Sequence, residues 1–473
     1  MSKYKPTIGI EIHTQLATKS KMFCGCDNDS RKAKANTNIC PVCMALAGTL
    51  PVVNKGAVEM AIKLAKGFNA EVAEVTSFDR KNYFYPDSPK GYQITQMDQP
   101  IIQNGYVEIL VGGEFKKIGI HHAHLEEDAG KLTHPEGADY SLVDFNRAGT
   151  PLVEIVSEPD IHSAEEAKRY LQEVYNIVTS LGICNGDMEH GNFKFDLNVS
   201  VSDTDKFGTR TELKNLNSFR NAERALNYEI QRQIDLLEEG EKIEQETRGW
   251  NDAKGKTFSQ RSKEEANDYR YFPEPDIPPI KLSNDFISQV QSEISVLPID
   301  VRRELNELKL NMDEQDILIG QPKTIEIFQQ AYIALKKPEL IKKAVNWLVG
   351  DYQALLASKK ASKLTGQNLV ELIKLVEKGE ISSKIAKEIF PKVCDGQNPN
   401  NIIESEGLKQ VSDDNELETI IKKVIEQNPK PVADYKGGND RVIPFFVGQV
   451  MKETKGQANP TKVNELVIKL LKE

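Results

Sequence analysis

The segment Thr7-Ile-Gly-Ile-Glu-Ile-His13 alternates between isoleucine and other residues without a break. A period of two predicts a half-buried β-strand whose three isoleucines face the core. Glu11 and His13 then share the opposite face, where a carboxylate and an imidazole two residues apart can both reach one ion or one proton. A functional pair and an ordinary solvent-exposed strand face fit this spacing equally well.

A second strand of the same kind is predicted at Phe193-Lys-Phe-Asp-Leu-Asn-Val-Ser-Val201. Its odd positions are apolar, and its even positions place Lys194, Asp196 and Asn198 on one polar face. That face is either part of a site or simply solvated.

Histidines and acidic residues are concentrated in His121-His-Ala-His-Leu-Glu-Glu-Asp128, which holds three of each in eight residues. This density is too high for an ordinary core strand, so the segment by itself favours a charged loop. Placed near Glu11 and His13, the same segment would form a site for one or two divalent cations. Its oxygen ligands favour Mg²⁺.

Two further segments carry cations suited to phosphate. Asp79-Arg-Lys-Asn-Tyr-Phe-Tyr-Pro-Asp87 interleaves Arg80 and Lys81 with three aromatic residues, as a site for a phosphate beside a stacked base requires. Aromatic residues in a run also occur in cores, which is the alternative. Asn146-Arg-Ala-Gly-Thr-Pro151 places an arginine before a Gly-Thr turn and is a weaker phosphate signal.

Four of the six cysteines form two close pairs, Cys24-Gly-Cys26 and Cys40-Pro-Val-Cys43. Two pairs of thiolates are what a tetrahedral zinc site requires. Buried free thiols and disulfides are the alternatives, and disulfides are rare in a cytoplasmic chain. With four sulfur ligands and no open position, we expect a structural Zn²⁺ rather than a catalytic one. Cys184 and Cys394 are isolated and are expected in the core.

Composition excludes several classes of protein. With 473 residues, of which 39% are hydrophobic, the chain can bury a core. Its net charge of -10 argues against a protein that only coats nucleic acid, but it leaves room for a local RNA-binding patch. No apolar run is long enough to cross a bilayer, so we expect a soluble, cytoplasmic protein. Motifs of P-loop, Rossmann and α/β-hydrolase enzymes are missing from the sequence.

The N-terminal part is expected to carry the chemistry, because all seven histidines and five of the six cysteines precede residue 191. Residues 1–245 mix short β-like stretches with helix-like segments near 56–69 and 163–180. Residues 246–272 are polar and are predicted to form a loop.

A boundary follows at Pro273-Glu-Pro-Asp-Ile-Pro-Pro279, since prolines at this density stop regular structure. Beyond it, apolar residues recur at helical spacing. One such stripe consists of Leu369, Leu372, Ile373 and Val376. A second linker at 395–400 precedes further amphipathic helices.

Longer stretches resemble, in the same order, the B subunits of the glutamine-dependent aspartyl/glutamyl-tRNA(Asn/Gln) amidotransferases, the GatB family. The matching stretches are 8–13, 78–87, 125–131, 146–160, 212–219, 268–276, 382–387 and 455–460. The resemblance therefore covers essentially the whole chain.

The resemblance implies an α+β fold with three parts. A two-layer cradle domain around an antiparallel sheet would span 1–290, with a zinc-binding insertion at 24–43. An all-helical domain would span 291–400. A small helical tail domain of the YqeY type, 401–473, would bind tRNA. Residues 429–473 carry eight basic and five acidic side chains, which makes them a candidate contact for the tRNA elbow.

The resemblance also implies an ATP-dependent carbon–nitrogen ligase with glutamine as the amide donor. The B subunit would use Mg-ATP to phosphorylate the side-chain carboxylate of Glu-tRNA(Gln) or Asp-tRNA(Asn). Ammonia released by the A subunit, an amidase, would then give Gln-tRNA(Gln) or Asn-tRNA(Asn), and a small C subunit would complete the heterotrimer. No membrane partner is expected.

Site residues follow from the matching positions. The first candidates for Mg²⁺ ligands and catalytic groups are Glu11, His13 and Glu127. Second candidates for Mg²⁺ are Glu126, His124 and Asp196. The ATP phosphates would face Lys81 and Arg147. Structural zinc would be held by Cys24, Cys26, Cys40 and Cys43.

One stretch departs from the family pattern. Where the family often reads Met-Glu-Glu-Gly-Ser-x-Arg-Cys-Asp, this chain reads Met188-Glu-His-Gly-Asn-Phe-Lys-Phe-Asp196. The departure weakens the case for a second metal site on this strand, although Glu189 and Asp196 are retained.

Two alternatives to the enzyme stay open. A non-catalytic tRNA-binding scaffold stabilised by zinc would leave the chemistry to a partner, but the pair of Glu11 and His13 favours the enzyme. A metallohydrolase would suit the histidine cluster but not the whole-chain resemblance.

Overall fold

The computed structural model describes residues 3–31, 33–262, 268–294, 296–358, 362–408, 414–454, 458 and 460–472. The chain divides into two compact units, Met1–Asp300 and Val301–Glu473. The first unit mixes strands with helices, and the described elements of the second unit are helical. This confirms the predicted α+β class. The domain limits at 290 and 400 stay predictions.

All strands among the described residues belong to the first unit. They are β1 (Lys5–Gln15), β2 (Glu71–Val72), β3 (Val75–Thr76), β4 (Asp79–Asn82), β5 (Tyr92–Thr95), β6 (Ile102–Val111), β7 (Glu114–Glu127), β8 (Lys131–Thr133), β9 (Leu142–Asp144), β10 (Pro151–Ser157), β11 (Phe193–Ser202), β12 (Thr211–Lys214), β13 (Glu246–Asn251), β14 (Lys256–Ser262), β15 (Phe272–Pro273) and β16 (Ile280–Lys281).

Helices occur in both units. Those of the first unit are α1 (Lys55–Gly67), α2 (Ala164–Ser180), α3 (Phe219–Glu238) and α4 (Asn284–Ser292). From the boundary onward follow α5 (Pro298–Glu307), α6 (Met312–Ile319), α7 (Pro322–Leu335), α8 (Pro338–Val349), α9 (Asp351–Ala357), α10 (Gly366–Glu377), α11 (Ser383–Cys394), α12 (Pro399–Glu406), α13 (Asp414–Gln427), α14 (Pro429–Lys436), a 3-10 turn (Asp440–Val442), α15 (Ile443–Glu453) and α16 (Pro460–Lys472).

A large sheet organises the first unit. Within the described residues its strand order is β14-β13-β12-β11-β1-β10-β7-β6-β2. The neighbours are antiparallel except β12 and β13, which run parallel, so the expected antiparallel sheet contains one parallel pair. Strand β1 is central, between β10 and β11.

One face of this sheet is apolar and is covered by helices. Ile8, Ile10 and Ile12 of β1 are fully buried, as the alternating pattern predicts. They join one hydrophobic core with residues of α1, α2 and α3, so the sheet and the helices form two layers. The polar side chains of β1, β7 and β10 are left on the other face, where β5 contacts β7.

Two helix predictions hold, and one segment differs from its prediction. Helices α1 and α2 match the segments predicted near 56–69 and 163–180. Residues 246–262, predicted as part of a loop, instead form the paired strands β13 and β14, and 263–267 of that prediction lie outside the described residues. The polarity of the hairpin misled the prediction because ion pairs stabilise it: Arg248 of β13 lies 3.4 Å from the fully buried carboxylate of Glu229 on α3.

The second unit contains the predicted helical stripe. On α10, Leu369, Leu372 and Ile373 are buried, and Val376 is half-buried. A separate hydrophobic cluster connects α13, α15 and α16 through Leu417, Phe446 and Val467, among others. None of the helices in the described ranges is long and apolar enough to cross a membrane.

Candidate active site

A row of polar side chains crosses the open face of the central sheet. His13 on β1 is paired with Glu154 on β10, and Glu154 is paired in turn with His124 on β7. Because residues paired across antiparallel strands point to the same face, the imidazoles and the carboxylate meet. The segment 121–128 is therefore a strand end rather than the charged loop that its composition favours.

Three of these groups converge closely enough to share one ion. The His13 Nε2 atom lies 3.2 Å from a Glu154 oxygen and 3.9 Å from a Glu126 oxygen. Ligand atoms of His13, Glu126 and Glu154 all lie within 4.8 Å of one another. We call these three residues the metal group. His124 adjoins it, with its Nε2 atom 3.5 Å from Glu154 and 3.7 Å from Glu126.

His13 and Glu154 shift each other's pKa. Burial opposes the charge of His13, but the hydrogen bond to Glu154 and the nearby carboxylates outweigh it and raise the pKa of His13 to about 9. Burial likewise opposes ionisation of Glu154, yet the hydrogen bond from His13 and the charges of His124 and Lys81 lower the pKa of Glu154. The surrounding cations thus favour the charged form of Glu154.

These donors fit a divalent cation. The group offers two carboxylates and one imidazole, a set that suits Mg²⁺ or Mn²⁺. Within the described part of the chain, the buried Nδ1 atom of His124 has no hydrogen-bond partner. This nitrogen is therefore available to a ligand. Of the ligands predicted from the sequence, His13 and Glu126 belong to the group, and His124 borders it.

Glu127 is brought near the group but has a different partner. Its carboxylate forms an ion pair with the ammonium of Lys90 and accepts the Ile94 amide at 3.0 Å. It lines a cavity of about 200 Å³ together with His13, Lys81 and Glu126. Lys90 was not predicted as a site residue.

Glu11 and Asp196 lie opposite each other on β1 and β11, outside the metal group as defined by the described residues. Glu11 accepts a hydrogen bond from the Asn198 amide at 3.1 Å, and Lys214 lies 2.9 Å from Asp196. Burial, helped by the charges of Glu154 and Asp196, raises the pKa of Glu11. These residues therefore extend the acidic surface beside the metal group.

The predicted phosphate cations differ in their surroundings. The Lys81 ammonium lies 4.8 Å from the centre of the Tyr269 ring. Burial opposes its charge, but the carboxylates of Glu126 and Glu154 raise the pKa of Lys81. Lys81 lines the same cavity as His13 and Glu126, and its contact with a phosphate stays a prediction. Arg80, in contrast, is paired with Glu274 at 2.7 Å.

Arg147 is held by protein groups beside the cavity that Lys81 lines. Its guanidinium donates to the carbonyl oxygens of Ala129 and Gly130 at 3.0 and 2.6 Å. It also lies 3.4 Å from Asp128. The structure does not bring Arg147 to the cavity that Lys81 lines, and it lines a neighbouring cavity instead.

Sequence reasoning missed Glu154, which completes the metal group. The signal was present, because Glu154 is the single acidic residue of the apolar strand Pro151–Ser157. A lone carboxylate within an otherwise apolar stretch is unusual. Its role depends on the pairing of β10 with β1, which the sequence does not display.

The four predicted zinc ligands are brought together. The sulfur atoms of Cys24, Cys26, Cys40 and Cys43 all lie within 4.8 Å of one another. A tetrahedron with Zn–S bonds of about 2.3 Å has edges of roughly 3.8 Å, so these side chains fit zinc after a small contraction. A hydrogen bond from Cys24 contributes most, with the Cys40 amide and the Lys21 charge, to lowering the pKa of Cys43 to about 4.

Comparison with known proteins identifies the family. Residues 6–288 match the GatB/GatE catalytic domain, and residues 326–471 match the GatB domain. A Brevibacillus brevis protein, named as the B subunit of an aspartyl/glutamyl-tRNA(Asn/Gln) amidotransferase, is 48% identical over 480 residues, covering 100% of this chain and 99% of its own.

Relatives with the same name occur in other bacteria. The Thermotoga maritima protein is 46% identical over 482 residues and 99% of each chain. The Persephonella marina protein is 45% identical over 478 residues, 99% of this chain and 100% of its own. The chain therefore belongs, as its resemblance predicted, to the GatB family of amidotransferase B subunits.

Proposed function

We propose that this chain activates the side-chain carboxylate of Glu-tRNA(Gln), Asp-tRNA(Asn) or both with Mg-ATP, so that ammonia can convert it into an amide. A carboxylate lacks a leaving group, and phosphorylation supplies one. One carboxylate oxygen attacks the γ-phosphorus of ATP and ADP leaves. Ammonia then attacks the acyl carbon, and inorganic phosphate departs with that oxygen.

The observation that carries this proposal is the position of Lys81 beside the metal group. His13, Glu126 and Lys81 line one cavity. The charges of both carboxylates of the metal group raise the pKa of Lys81. Phosphoryl transfer needs little covalent chemistry from a protein, but it needs cations placed around the phosphates. A protein that only binds tRNA does not require a lysine beside a metal site. The arrangement therefore favours a catalytic role over a scaffold.

Roles follow for the individual residues. His13, Glu126 and Glu154 would hold Mg²⁺, which when bound neutralises phosphate charge. Lys81 would contact the γ-phosphate, and the neighbouring rings of Tyr83, Tyr269 and Tyr271 offer faces for the adenine. The negative charges of Glu11 and Asp196 would help the metal group attract a cation, and the pair of Glu127 and Lys90 would form part of the cavity wall. Arg147 would stabilise the turn at Ala129 and Gly130.

The chain would act with an amidase that releases ammonia from glutamine and with a small third subunit. The relatives are named as B subunits, which supports a complex of several subunits. The four cysteines would hold a structural Zn²⁺ near the cavity, and the helical tail would hold tRNA. This makes the complex an ATP-dependent carbon–nitrogen ligase of the cytoplasm.

The test uses the chain purified with both partner subunits, ATP, Mg²⁺, free ammonium and Glu-tRNA(Gln) or Asp-tRNA(Asn). Ammonium bypasses the amidase, so the step proposed for this chain is measured alone. Phosphate release and amidated tRNA should both appear with the wild type and be lost with His13→Ala. Glu114→Gln, at the exposed start of β7, is the matched control. Full activity of His13→Ala would show that phosphorylation takes place outside the metal group. A wild-type complex that binds tRNA without releasing phosphate would support the non-catalytic scaffold.

A further inference from the structure

A second polar cavity, of about 210 Å³, lies along the sheet from the metal group. Its lining shares no described residue with the cavity of Lys81. Amide and hydroxyl side chains predominate in it, so we call it the amide cavity. They are Gln15, Thr18, Asn28, Ser30, Thr150, Asn185 and Asn192.

We propose that the amide cavity binds the terminal nucleoside of the aminoacylated tRNA while the aminoacyl side chain reaches the metal group. This inference rests on the proposed function and names where one substrate sits. Neutral amides and hydroxyls are the groups that bind base edges and ribose hydroxyls in RNA recognition.

Two polar atoms of the cavity lack partners of their own. Among the described residues, neither Thr150 Oγ1 nor Asn28 Oδ1 has a hydrogen-bond partner, although both atoms are buried. Thr150 is only 3% exposed. Leaving such an atom without a bond is destabilising. Both atoms accept hydrogen bonds but are closed to solvent, so a ribose hydroxyl or a base amino group would satisfy them after a small shift of the cavity wall.

The floor of the amide cavity is held in place by its own hydrogen bonds. The Gln15 amide donates to Asp128 at 2.9 Å, and the Asn192 amide donates to Gln15 at 3.1 Å. A floor fixed in this way loses little entropy when a ligand binds. It also links the cavity to Asp128, two residues beyond Glu126 of the metal group.

The rim carries a guanidinium that a phosphate can recruit. Arg31 and His190 line the cavity, and their side chains are 50% and 56% exposed. Arg31 lies 3.3 Å from Asp29 and 3.7 Å from Asp187. Exposed ion pairs of this kind contribute little, so an RNA phosphate can compete for the guanidinium.

The spacing along the strands suits an aminoacyl ester. Gln15 lies two residues beyond His13 on the same face of β1, a separation of about 7 Å. A glutamyl ester places its ribose roughly 5–8 Å from the side-chain carboxylate, as bond lengths dictate. A nucleoside in the amide cavity can therefore present its aminoacyl carboxylate to the metal group. ATP is placed elsewhere, in the cavity of Lys81 and the tyrosines.

The test compares the double variant Thr150→Val/Asn185→Ala with Thr133→Val, an exposed threonine of β8, in the heterotrimeric complex with ammonium. We expect the KM for Glu-tRNA(Gln) or Asp-tRNA(Asn) to rise about 5- to 20-fold in the double variant. The KM for ATP and the kcat at saturating tRNA should stay within twofold of the wild type. A rise in the KM for ATP alone, or no change in either KM, would overturn the assignment.

A binding measurement separates this inference from the proposed function. Saturation-transfer NMR with the trinucleotide CCA should show contact at the terminal adenosine in the wild type, weakened in the double variant, and the result does not require catalysis. If the wild type is inactive but still binds CCA in this way, the proposed function is contradicted, whereas the assignment of the amide cavity is supported. If the double variant has a lowered Tm, Arg31→Ala at the exposed rim replaces it. CCA binding that is unaffected by the variants would contradict the inference.

Discussion

His13 and Glu154 lie directly opposite each other on β1 and β10, and 3.2 Å separates the imidazole Nε2 atom from the carboxylate. The contact depends on strand pairing rather than on closeness in sequence, because 141 residues separate the two positions (154 − 13). It places a carboxylate from an otherwise apolar strand in the middle of the polar face. The metal group exists because of this register.

Replacing Glu154 by glutamine should abolish phosphate release without unfolding the protein. The amide keeps the size of the side chain but removes one of the two carboxylates proposed to hold Mg²⁺, and we expect a loss of at least about 100-fold. The assay is ammonium-driven phosphate release at several Mg²⁺ concentrations. Glu114→Gln should behave like the wild type. Normal turnover by Glu154→Gln would show that this carboxylate is not needed.

Replacing Lys81 by methionine should raise the KM for ATP by about tenfold or more. Methionine retains the length and the contact with Tyr269 but loses the charge that would meet the phosphates. Lys81→Arg should recover part of the activity, and Lys55→Met on the surface of α1 serves as the control. If Lys81→Met binds ATP as the wild type does, the phosphates lie elsewhere.

Thiol reactivity should count the zinc ligands. Cys184 and Cys394 are 3% and 0% exposed, so both are shielded from a thiol reagent while the protein is folded. With zinc bound, a native thiol titration should detect almost none of the six cysteines. Removal of zinc by a chelator should expose four, and denaturation all six. Four reactive thiols before chelation would argue against the zinc site.

The buried carboxylate of Glu229 should matter for stability rather than for catalysis. It accepts hydrogen bonds from Arg232 at 2.9 and 2.6 Å and from Thr257 at 3.0 Å, and so joins α3 to the hairpin of β13 and β14. Glu229→Ala should lower the free energy of unfolding by about 3–5 kcal/mol, because arginines lose a buried partner. Chemical denaturation measures this, with the exposed Glu238→Ala as control. A loss below about 1 kcal/mol would contradict the structural role.

Lysines of the C-terminal helices should contribute to tRNA affinity. Lys430, Lys436 and Lys452 are exposed, and their replacement by glutamate should weaken tRNA binding and reduce its dependence on salt. The same change at Lys342, Lys374 and Lys384 is the control. The substitutions are preferable to deleting 429–473, since α15 and α16 pack against α13 in one hydrophobic cluster. Equal affinities for both variants would place the RNA contact elsewhere.

Local patterns predicted much of the first unit but not how its parts meet. Strands β1 and β11 follow from their alternation, and the cysteine pairs from their spacing. The hairpin of β13 and β14 could not be predicted, because its charged residues are buried only through contact with Glu229 on a distant helix. Glu154 was missed for a similar reason. Its neighbours are set by pairing with β1, and no local pattern encodes that register.

An isotope experiment can follow the oxygen atom on which the mechanism depends. Glu-tRNA(Gln) or Asp-tRNA(Asn) labelled with ¹⁸O in its side-chain carboxylate is incubated with the complex, ATP, Mg²⁺ and ammonium, and the released phosphate is analysed by mass spectrometry. If the carboxylate attacks the γ-phosphorus, each amidation transfers one ¹⁸O atom to phosphate. With Glu154→Gln, neither amidated tRNA nor labelled phosphate should form. Amidated tRNA accompanied by unlabelled phosphate would contradict an acyl-phosphate step in this protein.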